Sequence, residues 1–99
     1  MARIDFDAVN SAALFDLPSL VRRWLPDGCV EGREFVARNP RRADKKAGSF
    51  KINLLTGKWC DFATGDAGGD VVSLAAYLSG SGQAEAARNL SEMLGIDHG

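Results

Sequence analysis

The stretch Ser49-Phe50-Lys51-Ile52-Asn53-Leu54, continued by Leu55-Thr56-Gly57 and then Lys58-Trp59-Cys60-Asp61-Phe62, decides the fold class. Strict alternation puts Phe50, Ile52 and Leu54 on one face and Ser49, Lys51 and Asn53 on the other, the period-2 pattern of a half-buried strand. Two such runs joined by a short glycine-containing turn read as an antiparallel hairpin, with the turn type left open. Upstream, Glu34-Phe35-Val36-Ala37-Arg38 reads as another short strand. The connection between them, residues 39–48, is charged and poor in apolar residues, so it is expected to be a surface loop, mobile until something binds it.

Helical patterns flank this centre. Residues 7–15 carry Val9, Ala12, Ala13 and Leu14 at roughly helical spacing. Residues 17–25 follow as a second helix, with Pro18 in the first turn, where a missing N–H is harmless. Leu17, Leu20, Val21, Trp24 and Leu25 share one face, and Pro26-Asp27-Gly28 ends the helix. Beyond the hairpin, Gly65-Asp66-Ala67-Gly68-Gly69 reads as a flexible turn. Asp70 is a candidate N-cap for a helix carrying Val71, Val72, Leu74, Ala75 and Leu78. Gly80 stops that helix. The last one shows a stripe of Ala84, Ala87, Leu90, Met93 and Leu94 and ends at Gly95-Ile96, the pattern of a Schellman motif. The expectation is an α+β domain over residues 1–99, a small antiparallel β-sheet flanked by N-terminal and C-terminal helices. Within it, residues 1–27 form a helical segment and 33–96 the core.

Ninety-nine residues, 45% hydrophobic and 25% charged, suit one small core with little spare stability. They leave no room for a complete polymerase, kinase or dinucleotide-binding enzyme. No apolar run approaches the roughly 18 residues of a membrane span, and the start of the chain is acidic and interrupted, unlike a signal peptide. Cys29 and Cys60 are too few for a disulfide scaffold or a four-cysteine zinc site, which favours a reducing, cytoplasmic location. The net charge of −1 hides a strong asymmetry. Residues 20–60 hold ten of the twelve bases and four of the thirteen acids, a local charge of +6, whereas residues 61–99 carry −5.

That basic centre is the first candidate site. Arg38, Arg41, Arg42, Lys45, Lys46, Lys51 and Lys58 have the chemistry to contact phosphates, each adding salt-dependent and largely sequence-independent affinity. A solvated loop is the plain alternative. Trp59 either stacks an unpaired base, if its strand face is exposed, or packs in the core. The glycine-rich turn before Asp70 is a structural turn, an anion site or a two-carboxylate cation site. It lacks the Lys-Ser/Thr pair of a phosphate-binding loop, and Asp66 and Asp70 oppose an anion. Cys29, Cys60, Asp61 and His98 make neither a four-ligand zinc set of thiols and imidazoles nor a supported catalytic pair. No catalytic residue, metal site or cofactor is expected.

Three pieces of sequence resemble the zinc-binding domain of bacterial and phage DNA primases, a CHC2-type zinc ribbon. They are Gly48-Ser49-Phe50-Lys51-Ile52-Asn53, Gly57-Lys58-Trp59 and Gly65-Asp66-Ala67-Gly68-Gly69-Asp70-Val71-Val72-Ser73-Leu74. Ala86-Ala87-Arg88-Asn89-Leu90 and Leu94-Gly95-Ile96 look like the tail of mobile-element versions. In that family a Cys-x-x-His pair precedes the hairpin and a Cys-x-x-Cys pair ends it. Here those positions hold Pro40 and Ala43, then Phe62 and Gly65, none with a ligating side chain. The resemblance therefore implies a metal-free descendant in which apolar packing, Phe62 included, replaces the zinc clamp. It further implies an accessory module that presents single-stranded DNA template to a primase or helicase catalytic domain, in cis or in trans, in a phage, plasmid or other mobile element. Lys51, Lys58 and Trp59 would lie near the template surface. The competing expectation is a non-catalytic module that binds a replication protein without touching DNA.

Overall fold

A computed structural model of the chain describes residues 4–41 and 49–95. Arg42, Lys45, Lys46, Ala43 and His98 lie outside the described residues. The architecture is α+β. Helices α1 (Phe6–Phe15) and α2 (Leu17–Trp24) come first. Strands β1 (Cys29–Glu31), β2 (Glu34–Ala37), β3 (Phe50–Asn53), β4 (Trp59–Asp61) and β5 (Ala67–Gly68) follow, then α3 (Val71–Ser79) and α4 (Gln83–Leu94). The strands pair in sequence order as one antiparallel meander.

Local chemistry explains the helix ends. Asp5 accepts from the Ala8 N–H at 3.0 Å and Asp70 from the Ser73 N–H at 2.8 Å, each carboxylate satisfying an otherwise open donor of the first turn. Pro18 sits at the start of α2. Gly80 and Gly95 take the left-handed conformation that ends α3 and α4, φ 70° and 69°. The hairpin turn, open from sequence, is set by Asn53: its Oδ1 accepts from the N–H groups of Leu55 (2.8 Å) and Thr56 (3.1 Å). Gly57 completes that turn at φ +79°, with Val71 packed where a side chain would project.

One apolar cluster joins all layers. Val9 and Ala13 of α1 and Leu17, Leu20 and Val21 of α2 meet Phe35, Ala37, Phe50, Ile52 and Trp59 of the sheet. Val71, Val72 and Leu74 of α3 and Ala86, Ala87 and Leu90 of α4 complete it. A side chain clamps the outer helices together: Asn10 Oδ1 accepts from the Val72 N–H at 2.9 Å.

Three sequence expectations change. Cys29–Glu31 and Ala67–Gly68 are strands, the second inside the stretch read as a flexible turn. The buried stripe of α4 is Ala86, Ala87, Leu90 and Ser91, while Ala84 and Met93 face outward. The twelve-residue helix packs against both α3 and α1, which buries a face centred on Ala86, Ala87 and Leu90. Finally, Phe62 is 69% exposed, so it does not supply the apolar packing expected at the end of the hairpin.

Candidate nucleic-acid interface on the open sheet face

Strand register sorts the central residues onto two faces. Phe35 pairs with Ile52 and Ile52 with Trp59; Ala37 pairs with Phe50 and Phe50 with Asp61. These residues point to the helices and are buried. The opposite face carries a row running Cys29, Val36, Lys51, Cys60, Ala67 across all five strands. Apart from buried Val36, the residues of this row are half-buried or exposed. Alternation adds Arg38 and Phe62 on one side of the row and Glu31, Glu34, Asn53 and Lys58 on the other. The face is thus polarised along the strands: Arg38, Lys51 and Phe62 toward one end, the two glutamates with Lys58 toward the other.

The predicted site residues separate accordingly. Lys51 and Lys58 stand on the open face, Lys58 opposite Asn53, whose N–H donates to the Lys58 carbonyl at 2.7 Å. Arg38 is on that face too, with Asp27 3.9 Å away; both side chains are well exposed, so the pair constrains the guanidinium little. Arg41 turns elsewhere. Its Nη1 donates to the Tyr77 carbonyl at 3.1 Å, and its guanidinium lies 5.3 Å from the Tyr77 ring centre. Trp59 is corrected outright as a stacking residue. Its indole is 5% exposed, its Nε1 donates to Ser73 Oγ at 3.2 Å, and its ring packs on Tyr77 and Phe50 at 4.5 and 5.9 Å.

Phe62 is the aromatic that the open face does present. It follows Asp61 at the end of β4, and its own N–H donates to the Ser49 carbonyl at 2.9 Å. Lys51 Nζ stands 5.6 Å from its ring centre, within cation–π range. Alternation along β4 puts Lys58, Cys60 and Phe62 on one side of the strand, and that period is the signal the sequence carries for this ring.

A buried polar network holds this corner. Asn39 Nδ2 donates to Asp61 Oδ2 at 2.8 Å and to the Tyr77 hydroxyl at 2.7 Å, and that hydroxyl donates to Asp66 Oδ2 at 2.9 Å. Asp61 Oδ1 accepts from the Ala63 N–H, and the Asp61 carbonyl from the Gly65 N–H, both at 2.8 Å. Asn39 and Asp61 are fully buried. The hydrogen bonds therefore join the start of the β2–β3 connection, the β4–β5 turn and α3. That is a polar clamp in the place where apolar packing was expected. Pro40, Phe62 and Gly65, the described positions that the primase resemblance assigns to zinc, offer no ligating side chain. Among the described residues no cluster of three or more His, Cys, Asp or Glu side chains could hold a metal ion.

The Cys60 thiol is pushed above its ordinary value, first by burial and then by the charges of Glu34 and Asp61, with Lys51 opposing. That favours the protonated, unreactive form. Asp66 and Asp70 are engaged as hydrogen-bond acceptors for Tyr77 and Ser73, which accounts for both carboxylates of the glycine-rich stretch structurally. Elsewhere, an apolar groove of about 400 Å³ lies among Trp24, Pro40, Leu78, Leu90 and Met93, where α2, α3 and α4 approach. Among the described residues no helix is long and apolar enough to cross a membrane. Compared with known proteins, the chain matches no family model and no curated sequence.

Proposed function

We propose that this protein is an accessory single-stranded DNA-binding module, working in the cytoplasm beside a primase or helicase catalytic domain supplied in cis or in trans. The observation that carries the reading is the basic, aromatic-bearing end of the open sheet face, with Arg38, Lys51 and Phe62 together and Lys58 farther along. A flat sheet face with cations and an exposed ring suits a flexible polyanion, because phosphate contacts supply affinity while bases need only a π-surface. The sequence resemblance to primase zinc-binding domains supports the same partner. Two reduced cysteines fit a cytoplasmic setting.

The test is binding of a mixed-sequence single-stranded oligonucleotide across a salt series. The variant Arg38→Gln/Lys51→Gln/Lys58→Gln is expected to lower the slope of log K against log salt by about 2, at roughly 0.7 per lost phosphate contact. A slope unchanged by the triple substitution would remove this face from the interface. The second reading, a replication-protein adaptor without DNA contact, draws on the apolar groove at Trp24 and Met93. Absence of any oligonucleotide binding at low salt would leave that reading in possession.

A further inference from the structure

Resting on the single-stranded DNA reading above, we infer that Phe62 is the base-stacking residue of this surface and that Lys51 is its positioning partner. The ring is 69% exposed; the other exposed rings, Phe15 (93%) and Phe6 (39%), belong to α1, so Phe62 is the one that stands on the sheet beside Lys51. Its exposure is not that of a loose loop. The Phe62 N–H is held by the Ser49 carbonyl at 2.9 Å, and the preceding Asp61 is buried and holds the Ala63 N–H at 2.8 Å. The backbone is therefore tied down on both sides of an outward-facing ring, so docking a base requires little further ordering of the chain.

Lys51 makes the platform suited to a nucleotide rather than to a generic apolar ligand. Its ammonium lies 5.6 Å from the ring centre, and the alternation of β2 carried one residue past Ala37 puts Arg38 on the same face. A base on the exposed ring would leave its flanking phosphates within a cationic surround, which complements the charge of a polynucleotide strand. In a duplex each base is already stacked and paired, so an outward ring on a flat sheet gains nothing from it without unstacking. Phe62 consequently selects single strands, while the lysines and arginines attract either form.

The experiment compares wild type with Phe62→Ala, Phe62→Leu and Phe62→Trp, each with a mixed-sequence single-stranded DNA, its duplex, and a single strand carrying 2-aminopurine. Circular dichroism confirms that the exposed-site variants stay folded. Phe62→Ala and Phe62→Leu are expected to bind the single strand about 5- to 30-fold more weakly, with an unchanged salt slope and unchanged duplex affinity. Phe62→Trp is expected to keep wild-type affinity and the quenching of 2-aminopurine fluorescence that the alanine variant loses. Wild-type affinity in Phe62→Ala or Phe62→Leu, or an equal loss for duplex and single strand, would overturn the stacking role. If the triple Gln variant still flattens the salt slope in that case, DNA binding by the face stands and only Phe62's role falls. No binding by wild type to any oligonucleotide would overturn both.

Discussion

Tyr77, the chain's only tyrosine, shows how one side chain serves several neighbours. Its hydroxyl accepts from Asn39 and donates to Asp66, its ring stacks with Phe50 and tilts on Trp59, and its carbonyl holds Arg41. Burial raises the phenol above its ordinary value of 10.0; the bond from Asn39 opposes this, while the bond to Asp66 and the charges of Asp66 and Asp61 reinforce it. The folded state thus favours the neutral phenol. Its stabilising contribution is whole below pH 10.0 and fades as pH climbs through the raised folded value. Denaturant stability of wild type should fall more steeply above pH 10 than that of Tyr77→Phe, and ultraviolet titration should place phenolate formation above the free value. Superimposable stability curves for the two proteins would contradict this. None of these contacts is visible from sequence, because Asn39, Asp66 and Tyr77 are far apart in the chain and meet only when sheet and helix pack.

At the scale of elements, the two-residue strand β5 depends on a missing side chain. Gly68 pairs with Trp59, and a Cβ there would run into Ser73 Oγ and the Trp59 indole. Glycine lets the strand lie against the Trp59–Ser73 hydrogen bond and deliver Asp70 to the start of α3. Gly68→Ala is expected to cost about 1–3 kcal/mol in chemical denaturation, as overpacking of a tight contact does. Gly69→Ala, where nothing lies within 4 Å of the added carbon, should cost less. Equal stability of the two variants would show that β5 has room to shift. The glycines and the capping Asp70 were legible as a signal for a turn entering a helix. The strand itself was not, since two residues carry no periodicity and become a strand only by pairing with Trp59 and Cys60.

Across the whole molecule, helices from both ends of the chain cover one face of the meander and share a single core. Leu17 sits fully buried in that core, at the start of α2. Leu17→Ala should lower stability by about 2–5 kcal/mol. The unfolding curves from helix circular dichroism and tryptophan fluorescence should shift together, because one cluster couples both. Separate transitions for the two signals would mean that α1 and α2 melt apart from the sheet. Among the described residues the same one-sided packing leaves the opposite face uncovered, and so decides which side chains of the sheet meet solvent.

Alternation in residues 49–62, the apolar face of α2, Pro18, Asp70, Gly80 and Gly95 established the hairpin, the helices and their ends from sequence alone. Each of those signals is local: a side-chain period, a ring that fixes φ, a carboxylate beside open N–H groups, a residue without a Cβ. The two faces of β4 were likewise distinguishable, with Trp59 on one and Phe62 on the other. Which face the helices would cover, and hence that Trp59 is core and Phe62 surface, was decided only by tertiary packing. So was the placement of Arg41 against Tyr77 rather than beside Lys51 on the open face. Charge along a chain records composition, whereas an interface depends on where the packed elements leave each charge pointing.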